Sequence, residues 1–340
     1  MFRKVIPVLL VLISGTLSAQ EISEREKKEV FEKSKELFSQ HYHFKNYIKP
    51  TTDFLDKQWK EGNYKNLTTI KAFTDSVAKD LRHFTKDGHL NYFYDNAEIV
   101  KSNISRPNIP WGLIDAKFLN NGLNKVEILP GDIGYIRVQA FGSIDELLPG
   151  AFTFIQNTNS LIIDLRGNGG GMLSNSLASY LLPKDSILLN TIFWNDHTDS
   201  IYTIKNINGP RYLDKPVYLL TDKGTFSSAE EFAYDLQQLK RVIIVGEPTG
   251  GGANPGGIVD VYTFTDGAKL GLFVPMAHVV NPLSGANWEG VGVKPDVEIQ
   301  PSKALEKAHS LALEQMASRE KNEFIRKKYV EMIEKTIATN

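Results

Sequence analysis

From residue 133 onward, short apolar runs alternate with helical patterns, and this alternation constrains the fold more than any other feature of the sequence. The runs have the length and composition of buried strands, and the segments between them place apolar residues at helical spacing. Such alternation is typical of α/β folds. The strand candidates are 133–138, 161–165, 217–221, 242–245, 258–264 and 270–274, and the helix candidates are 144–156, 172–182 and 228–239.

Charged helical patterns flank this α/β region on both sides. Ser23 and Glu26 have the spacing of a capping box and predict the start of the first helix. A short aromatic strand is expected from residue 90, followed by irregular structure rich in proline and asparagine. The predicted organisation is a signal peptide at 1–19, a helical module at 20–88, a connecting segment at 89–129, an α/β core at 130–301 and a C-terminal helix at 302–340.

The first twenty residues have the pattern of a secretory signal peptide. Arg3 and Lys4 supply a basic start, an apolar run follows from Val5 to Ile13, and Ala19 precedes the expected cleavage site. We therefore expect an exported protein, located in the periplasm or outside the cell. Because no later segment has about eighteen consecutive apolar residues, we expect no stable membrane span after the signal is removed.

Charge and cysteine content exclude several classes of protein. The 340 residues include 39 basic and 40 acidic side chains, and this balance without a basic cluster argues against binding of nucleic acid. The chain has no cysteine, so disulfides, thiolate zinc sites and a cysteine nucleophile are excluded. Any covalent catalysis must use another group. The oligomeric state is left open.

A glycine-rich turn follows the strand candidate at 161–165, where Arg166-Gly-Asn-Gly-Gly-Gly171 leads into a helix. Glycines let backbone N–H groups approach a ligand closely, and the helix N-terminus adds positive potential, so this turn can stabilise an anion. The turn lacks the Lys-Ser/Thr ending of a phosphate-binding loop, and Met172 replaces the last glycine of a dinucleotide fingerprint. An oxyanion site and a purely structural turn remain the alternatives.

A second strand, tight turn and helix occur around Ser227. A serine in such a turn is exposed above the sheet edge, as a nucleophile requires. However, Ser227 with Glu230, and Ser228 with Glu231, both have capping-box spacing, so either serine could simply cap the helix.

A serine nucleophile needs a base, and the chain has seven histidines. His89 is distinctive because it lies in Lys86-Asp-Gly-His-Leu90, where the helical module ends and a strand begins. A histidine at such a junction can be directed into a cleft between modules. An ordinary loop histidine is the alternative.

Five segments, in this order, resemble the C-terminal processing peptidases of family S41, in its tricorn-like and retinoid-binding-protein-like branch. The segments are Gly134-Tyr-Ile-Arg-Val, Asp164-Leu-Arg-Gly-Asn-Gly-Gly-Gly, Gly224-Thr-Phe-Ser-Ser-Ala-Glu-Glu-Phe-Ala, Val245-Gly-Glu-Pro-Thr-Gly-Gly and Glu289-Gly-Val-Gly-Val-Lys-Pro-Asp-Val. The resemblance spans residues 130–300 and implies a ClpP-like or crotonase-like ββα core with serine endopeptidase activity. Peptides or unfolded proteins are the implied substrates, with no cofactor or metal.

The resemblance also assigns residues. Ser227 matches the nucleophile of the family and Ser228 a neighbouring, noncatalytic position. His89 matches the histidine of the tricorn-like branch, and Glu289 matches its carboxylate. On this basis His89 is the expected general base and Glu289 is expected to orient it. Backbone N–H groups of Gly169 or Gly170 and of Ser228 are expected to form the oxyanion hole.

The sequence departs from the family at three places. Tail-specific members use a base lysine in a Thr-Phe-Gly-Lys-Gly motif, whereas this chain reads Thr249-Gly-Gly-Gly252-Ala. Gly88 replaces the serine that precedes the histidine in the tricorn-like branch, so a direct contact between Glu289 and His89 is left open. Residues 95–130 are too few for the PDZ module of many relatives, which makes selection of substrate C-termini doubtful.

Two other functions stay open at this point. Retinoid-binding relatives use the same fold to hold apolar ligands, so a noncatalytic binding module for an apolar ligand or peptide is the main alternative. An exported acyl-transfer enzyme of the crotonase type is the other, although no adenine-binding feature is evident in the sequence.

Overall fold

The computed structural model describes residues 20–95, 120–172 and 174–338. The predicted signal peptide and residues 96–119 of the predicted connecting segment lie outside these ranges. The helices are α1 (Glu24–His41), α2 (Ile48–Lys60), α3 (Ile70–Thr85), α4 (Leu148–Ile155), α5 (Asn175–Leu181), α6 (Ser228–Gln238), α7 (Pro301–Arg319) and α8 (Glu323–Ala338). The strands are β1 (Asn91–Asp95), β2 (Leu123–Leu129), β3 (Ile133–Val138), β4 (Ser160–Asp164), β5 (Leu188–Trp194), β6 (Thr198–Tyr202), β7 (Val217–Thr221), β8 (Ile243–Gly246), β9 (Gly256–Thr263), β10 (Lys269–Pro275), β11 (Ala277–Val280) and β12 (Val297–Glu298).

A six-stranded sheet with the order β12-β8-β7-β4-β3-β2 forms the centre of the α/β region. β2 and β3 are antiparallel, and the other neighbours are parallel. Parallel neighbours require crossover connections, which here carry helices α4, α5 and α6. Because β4 and β7 are parallel neighbours, the turns that follow them lie at the same edge of the sheet. These two turns are the glycine-rich turn and the turn of Ser227.

The two faces of this sheet contact different helical layers. Leu161 and Ile163 on β4 belong to the hydrophobic core that includes residues of α4, α5 and α6, whereas Ile162 belongs to a core with α7. Leu219 and Leu220 on β7 divide in the same way. This alternation is the period of two expected for a strand, and with both faces covered it produces the continuous apolar runs seen in the sequence. The mixed α/β fold class is confirmed.

The N-terminal helices pack on a separate sheet with the order β1-β10-β9. Phe31, Phe38 and Phe73 from the helices share a hydrophobic core with Leu270 and Leu272 of β10. β1 pairs with β10 in antiparallel register, so the chain segment that carries His89 leads directly into this sheet. The boundaries predicted for the helical module, the connecting segment and the core stay predictions, because this hydrophobic core draws residues from all three.

Some elements differ from the sequence-based expectations. β2 lies in the segment expected to be irregular, and a third sheet with the order β11-β5-β6 was not predicted. The expected C-terminal helix is two helices, because the backbone of Glu320 is extended at the end of α7 and the Asn322 side chain accepts a hydrogen bond from the Phe324 N–H at the start of α8. Within the described ranges, no helix is long and apolar enough to cross a membrane.

Candidate active site

Ser227 lies in the turn between β7 and α6, with φ 54° and ψ −125°. This φ is unusual for any residue other than glycine, and strained serines of this kind occur where a nucleophile is held above a sheet edge. The glycine-rich turn packs against it, because a Cβ atom added at Gly170 would lie 2.7 Å from the Ser227 Cβ. A glycine at position 170 is therefore required for the two turns to approach each other.

Glu230, in the first turn of α6, organises the backbone around Ser227. Its buried carboxylate accepts hydrogen bonds from the N–H groups of Ser227 (2.9 Å), Gly251 (2.6 Å) and Gly252 (2.8 Å), and from the Thr249 hydroxyl. Burial raises the pKa of Glu230, and these hydrogen bonds act in the opposite direction. The carboxylate thus ties the turn of Ser227 to the loop at 249–252.

His89 meets Ser227 across the boundary between the two hydrophobic cores. The His89 Nε2 atom lies 3.1 Å from the Ser227 Oγ atom. The imidazole packs against Phe226 and Phe273, with ring centroids 4.7 and 5.3 Å away. A Cβ atom at Gly88 would lie 3.2 Å from the Phe226 ring, so glycine leaves room for that ring beside the imidazole. The sequence-predicted serine and histidine are brought together.

Asp87 lies on the side of the imidazole opposite Ser227 and was not among the predicted site residues. It is completely buried, and its Oδ1 atom lies 3.6 Å from the His89 Nδ1 atom. The same oxygen accepts the backbone N–H of His89 at 3.1 Å, and Oδ2 accepts a hydrogen bond from the Asn254 amide at 3.0 Å. Its position two residues before the histidine was the available signal.

Glu289 lies in the same cluster but makes no hydrogen bond to His89. Its Oε2 atom accepts the backbone N–H groups of Ala253 (2.6 Å) and Asn254 (3.1 Å). Its Oε1 atom and the His89 Nδ1 atom are buried and have no hydrogen-bond partner in the described part of the chain. One oxygen each of Asp87 and Glu289 and a His89 nitrogen lie within 4.8 Å of one another. The direct contact that the sequence left open is therefore not made.

The environment of Glu289 favours its protonated form. Burial, followed by the neighbouring Asp87 carboxylate, raises the pKa of Glu289 to about 8. The Glu289 carboxyl group therefore holds its proton near neutral pH. Asp87 and Glu289 form a carboxyl pair facing the imidazole.

The predicted oxyanion donors occupy different environments. The Gly170 N–H donates to the Asn168 side chain at 2.8 Å and is therefore occupied. The Gly169 N–H makes no hydrogen bond within the described ranges, but Gly169 is exposed and does not line the cavity beside Ser227. The N–H groups of Ser228 and Gly171 make no hydrogen bond to any residue in the described ranges, and both residues line a cavity beside Ser227. Gly171 was not singled out from the sequence, because the glycine run alone does not show which N–H is free.

Comparison with known proteins identifies the family of this region. Residues 132–299 match the profile of Peptidase family S41. A chloroplastic C-terminal processing peptidase of Tetradesmus obliquus is 31% identical over 176 residues, covering 50% of this chain and 35% of the relative. A carboxyl-terminal-processing protease of Picosynechococcus is 27% identical over 206 residues, covering 56% of this chain and 45% of the relative. The chain thus spans less than half the length of these relatives.

Two solved structures share the fold over most of the chain. A candidate peptidase of Parabacteroides merdae has a TM-score of 0.56 at 21% identity, covering 84% of this chain and 96% of that one. A lipoprotein of Streptococcus agalactiae has a TM-score of 0.52 at 19% identity, with coverage of 85% and 96%. The five sequence segments, the fold and the matched profile agree: the α/β core at residues 132–299 belongs to peptidase family S41.

Proposed function

We propose that this protein is an exported serine peptidase that hydrolyses peptide bonds in peptides or unfolded proteins. The single observation that carries the proposal is the 3.1 Å separation of Ser227 Oγ and His89 Nε2, which is hydrogen-bond distance between a nucleophile and a base. Export rests on the signal-peptide pattern at residues 1–19, which places the enzyme in the periplasm or outside the cell.

The proposed reaction begins with attack by Ser227 Oγ on the carbonyl carbon of the scissile peptide bond. The hydroxyl proton passes to His89 Nε2, and the imidazolium then gives it to the leaving nitrogen as the C–N bond breaks. Water, deprotonated by the same histidine, next attacks the acyl ester, and the proton returns to Ser227. For the first step the imidazole must be neutral, with its proton on Nδ1.

The carboxyl pair is proposed to hold that tautomer. A proton on His89 Nδ1 faces the Asp87 Oδ1 atom at 3.6 Å, a distance that a small rotation of the ring converts into a hydrogen bond. Asp87 is the nearer carboxylate in this arrangement. Glu289, held by two backbone N–H groups and with a pKa raised to about 8, is proposed to keep its proton behind the imidazole near neutral pH.

The tetrahedral oxyanion is proposed to accept hydrogen bonds from the N–H groups of Ser228 and Gly171. Both groups are free within the described ranges and flank Ser227. Ser228 N–H is also at the first turn of α6, where the positive end of the helix dipole favours negative charge. Each such donor typically stabilises a transition state by about 3–4 kcal/mol.

Side-chain packing also favours histidine over lysine as the base. Gly252 stands where the tail-specific motif carries its lysine, and a Cβ atom there would lie 2.1 Å from the Phe226 ring. The same ring packs against His89. The aromatic ring thus occupies the space of a lysine side chain, and this supports assignment to the tricorn-like branch.

A fluorophosphonate probe tests the nucleophile on the purified full chain. We expect covalent labelling of the wild type, and less than about a thousandth of that rate for Ser227→Ala, because no other hydroxyl in the described part of the chain is hydrogen-bonded to His89. Ser318→Ala, at an exposed serine on α7 outside the site, serves as the matched control and should label normally.

An unlabelled wild type, or a Ser227→Ala variant that labels as fast as the wild type, would show that the assignment is wrong. If the unlabelled protein also binds an apolar ligand tightly without cleaving unfolded protein, a binding module on the same fold is the correct function.

A further inference from the structure

A cavity of about 110 Å³ opens beside Ser227, on the side of Ser228 and Gly171. Its walls are mostly apolar. One residue with a carboxyl group, Glu231, also lines it. The apolar lining residues are Met172, Ile192, Ala253, Pro255, Val279 and Trp288. A cavity that adjoins both the nucleophile and the proposed oxyanion donors is placed to receive a substrate side chain.

Glu231 belongs to a buried polar cluster at one end of this cavity. Its carboxyl group and that of Asp235, one turn further along α6, both accept hydrogen bonds from the Asn190 amide, at 3.1 and 2.6 Å. Asn281 donates a further hydrogen bond to Asp235 at 3.0 Å. Both acidic residues are at least nine-tenths buried. The two carboxyl groups thus share one amide donor, and the buried Ser174 hydroxyl is a further hydrogen-bond partner of Glu231.

This cluster lacks a positive charge. In the part of the chain that the structure describes, no lysine, arginine or histidine lies within ion-pair distance of Glu231 or Asp235. Burial accordingly raises the pKa of Glu231 to about 7 and that of Asp235 well above its usual range. An uncompensated carboxyl pair is unfavourable in a protein interior, and a bound cation would relieve it.

Two further acceptors lack a donor. Ser228, 8% exposed, lines the cavity, and its Oγ atom has no hydrogen-bond partner within the described ranges. The Oδ1 atom of Asn190, on the amide that binds Glu231, is also buried and unpartnered there. The expected capping bond between Ser228 and Glu231 is therefore not made. The Asn190 Oδ1 atom and the Ser228 hydroxyl can each accept a further hydrogen bond, which suits an occupant that brings several N–H groups.

We propose that this cavity binds the side chain on the acyl side of the scissile bond and selects a basic residue, with the Glu231 carboxylate as the specificity determinant. The inference rests on the proposed peptidase function. The apolar walls contact the methylene stem, as is usual for a long basic side chain with a buried stem. The terminal ammonium of a lysine has three donors, for the Glu231 carboxylate and the unpartnered acceptors beside it.

The test uses two peptidyl diphenyl phosphonates that differ only in the residue on the acyl side, lysine or norleucine. The two side chains have the same unbranched stem, and only lysine carries the ammonium. On the wild-type full chain we expect the lysyl probe to modify Ser227 at least about tenfold faster, a factor that corresponds to about 1.4 kcal/mol. This measurement needs no variant, so it stands even if a substitution impairs folding.

Two variants assign the preference to its residue. Glu231→Gln keeps the shape of the side chain but not the charge, and the ratio of lysyl to norleucyl rates should fall to about one. Glu314→Gln, which removes an exposed acidic group on α7, should keep the wild-type ratio. Equal loss of the ratio in both variants would contradict the local role of Glu231.

The outcomes separate this inference from the proposed function. Labelling by a generic fluorophosphonate, with a lysyl probe no faster than the norleucyl one, overturns the inference and leaves the peptidase standing. A glutaminyl probe that reacts faster than the lysyl one also overturns it, in favour of a neutral polar side chain. Absence of labelling by every probe overturns the proposed function together with the inference.

Discussion

The serine side and the histidine side of the candidate site differ in how fully their buried polar atoms are hydrogen-bonded. On the serine side, Glu230 accepts hydrogen bonds from three backbone N–H groups and a hydroxyl. On the histidine side, His89 Nδ1, Glu289 Oε1 and Asn254 Oδ1 are all buried without a hydrogen-bond partner in the described ranges. This difference indicates that hydrogen bonds hold the nucleophile in one geometry. The unpartnered atoms around His89, by contrast, can still accept or pass on a proton.

The largest effect on catalysis is expected from replacing the Asp87 carboxyl group. Asp87→Asn should lower the rate of fluorophosphonate labelling by about a thousandfold, or about 4 kcal/mol, because an amide N–H facing His89 Nδ1 favours the wrong tautomer. Glu289→Gln is the matched variant on the other carboxyl and should lower the rate by a smaller factor, since Glu289 is already largely protonated near neutral pH.

Thermal unfolding of both variants is the accompanying measurement, and each should retain a cooperative transition. If Glu289→Gln slows labelling more than Asp87→Asn does, the roles of the two carboxyl groups are reversed and Glu289 is the residue that orients His89.

Removing the Glu230 carboxylate from the serine side is expected to lower the stability of the fold. Glu230→Ala leaves the buried N–H groups of Ser227, Gly251 and Gly252 without an acceptor, and we expect it to lower the free energy of unfolding by at least about 3 kcal/mol. Urea denaturation followed by circular dichroism measures this. Glu314→Ala, at an exposed position on α7, should change it by no more than about 0.5 kcal/mol. A loss below about 1 kcal/mol for Glu230→Ala would contradict a tightly constrained serine side.

The pH dependence of stability tests the protonation state of Glu289 on the histidine side. The pKa of Glu289 is about 8 in the folded protein, against 4.5 for the unperturbed group, so the folded chain holds a proton that the unfolded chain releases between these values. The contribution of Glu289 to stability therefore falls as pH rises from about 5 to 8. Glu289→Gln removes this titration. Relative to the variant, the wild type should lose about 2–4 kcal/mol of unfolding free energy over that interval.

Urea denaturation of wild type and variant at pH 5 and pH 8 gives this difference, and other titrating groups cancel because both proteins contain them. A difference that stays constant with pH would mean that Glu289 is ionised throughout this interval.

The sequence predicted the parts of the site that depend on local pattern. Ser227 and the glycine-rich turn follow buried apolar strands, and parallel pairing of those strands brings the turns together. His89 was located by its place at a junction and by resemblance. The role of Asp87 depends on the backbone conformation between Asp87 and His89. The role of Glu231 depends on which face of α6 lines the cavity. Neither is a property of residue spacing alone.

The missed strands have a related cause. β5 and β6 contain polar residues, the buried Asn190 and the exposed Asp199 and Ser200, so no continuous apolar run marks them. β5 pairs with β11, whose residues Ala277 and Val280 lie 83 and 89 positions after their partners Trp194 and Thr191, and Ile192 packs in the hydrophobic core below. The four inner strands of the central sheet, β3, β4, β7 and β8, were predicted because their side chains are mostly buried on both faces.

The long sequence separation within the site has a consequence for biosynthesis. Ser227 and His89 are 138 positions apart, and Glu289 comes later still in the chain. A growing polypeptide holds the base long before it holds the nucleophile, and it lacks Glu289 until most of the chain has been made. If the proposed activity is correct, the newly made chain is harmless to its neighbours during synthesis and export, and folding itself acts as the step that switches the enzyme on.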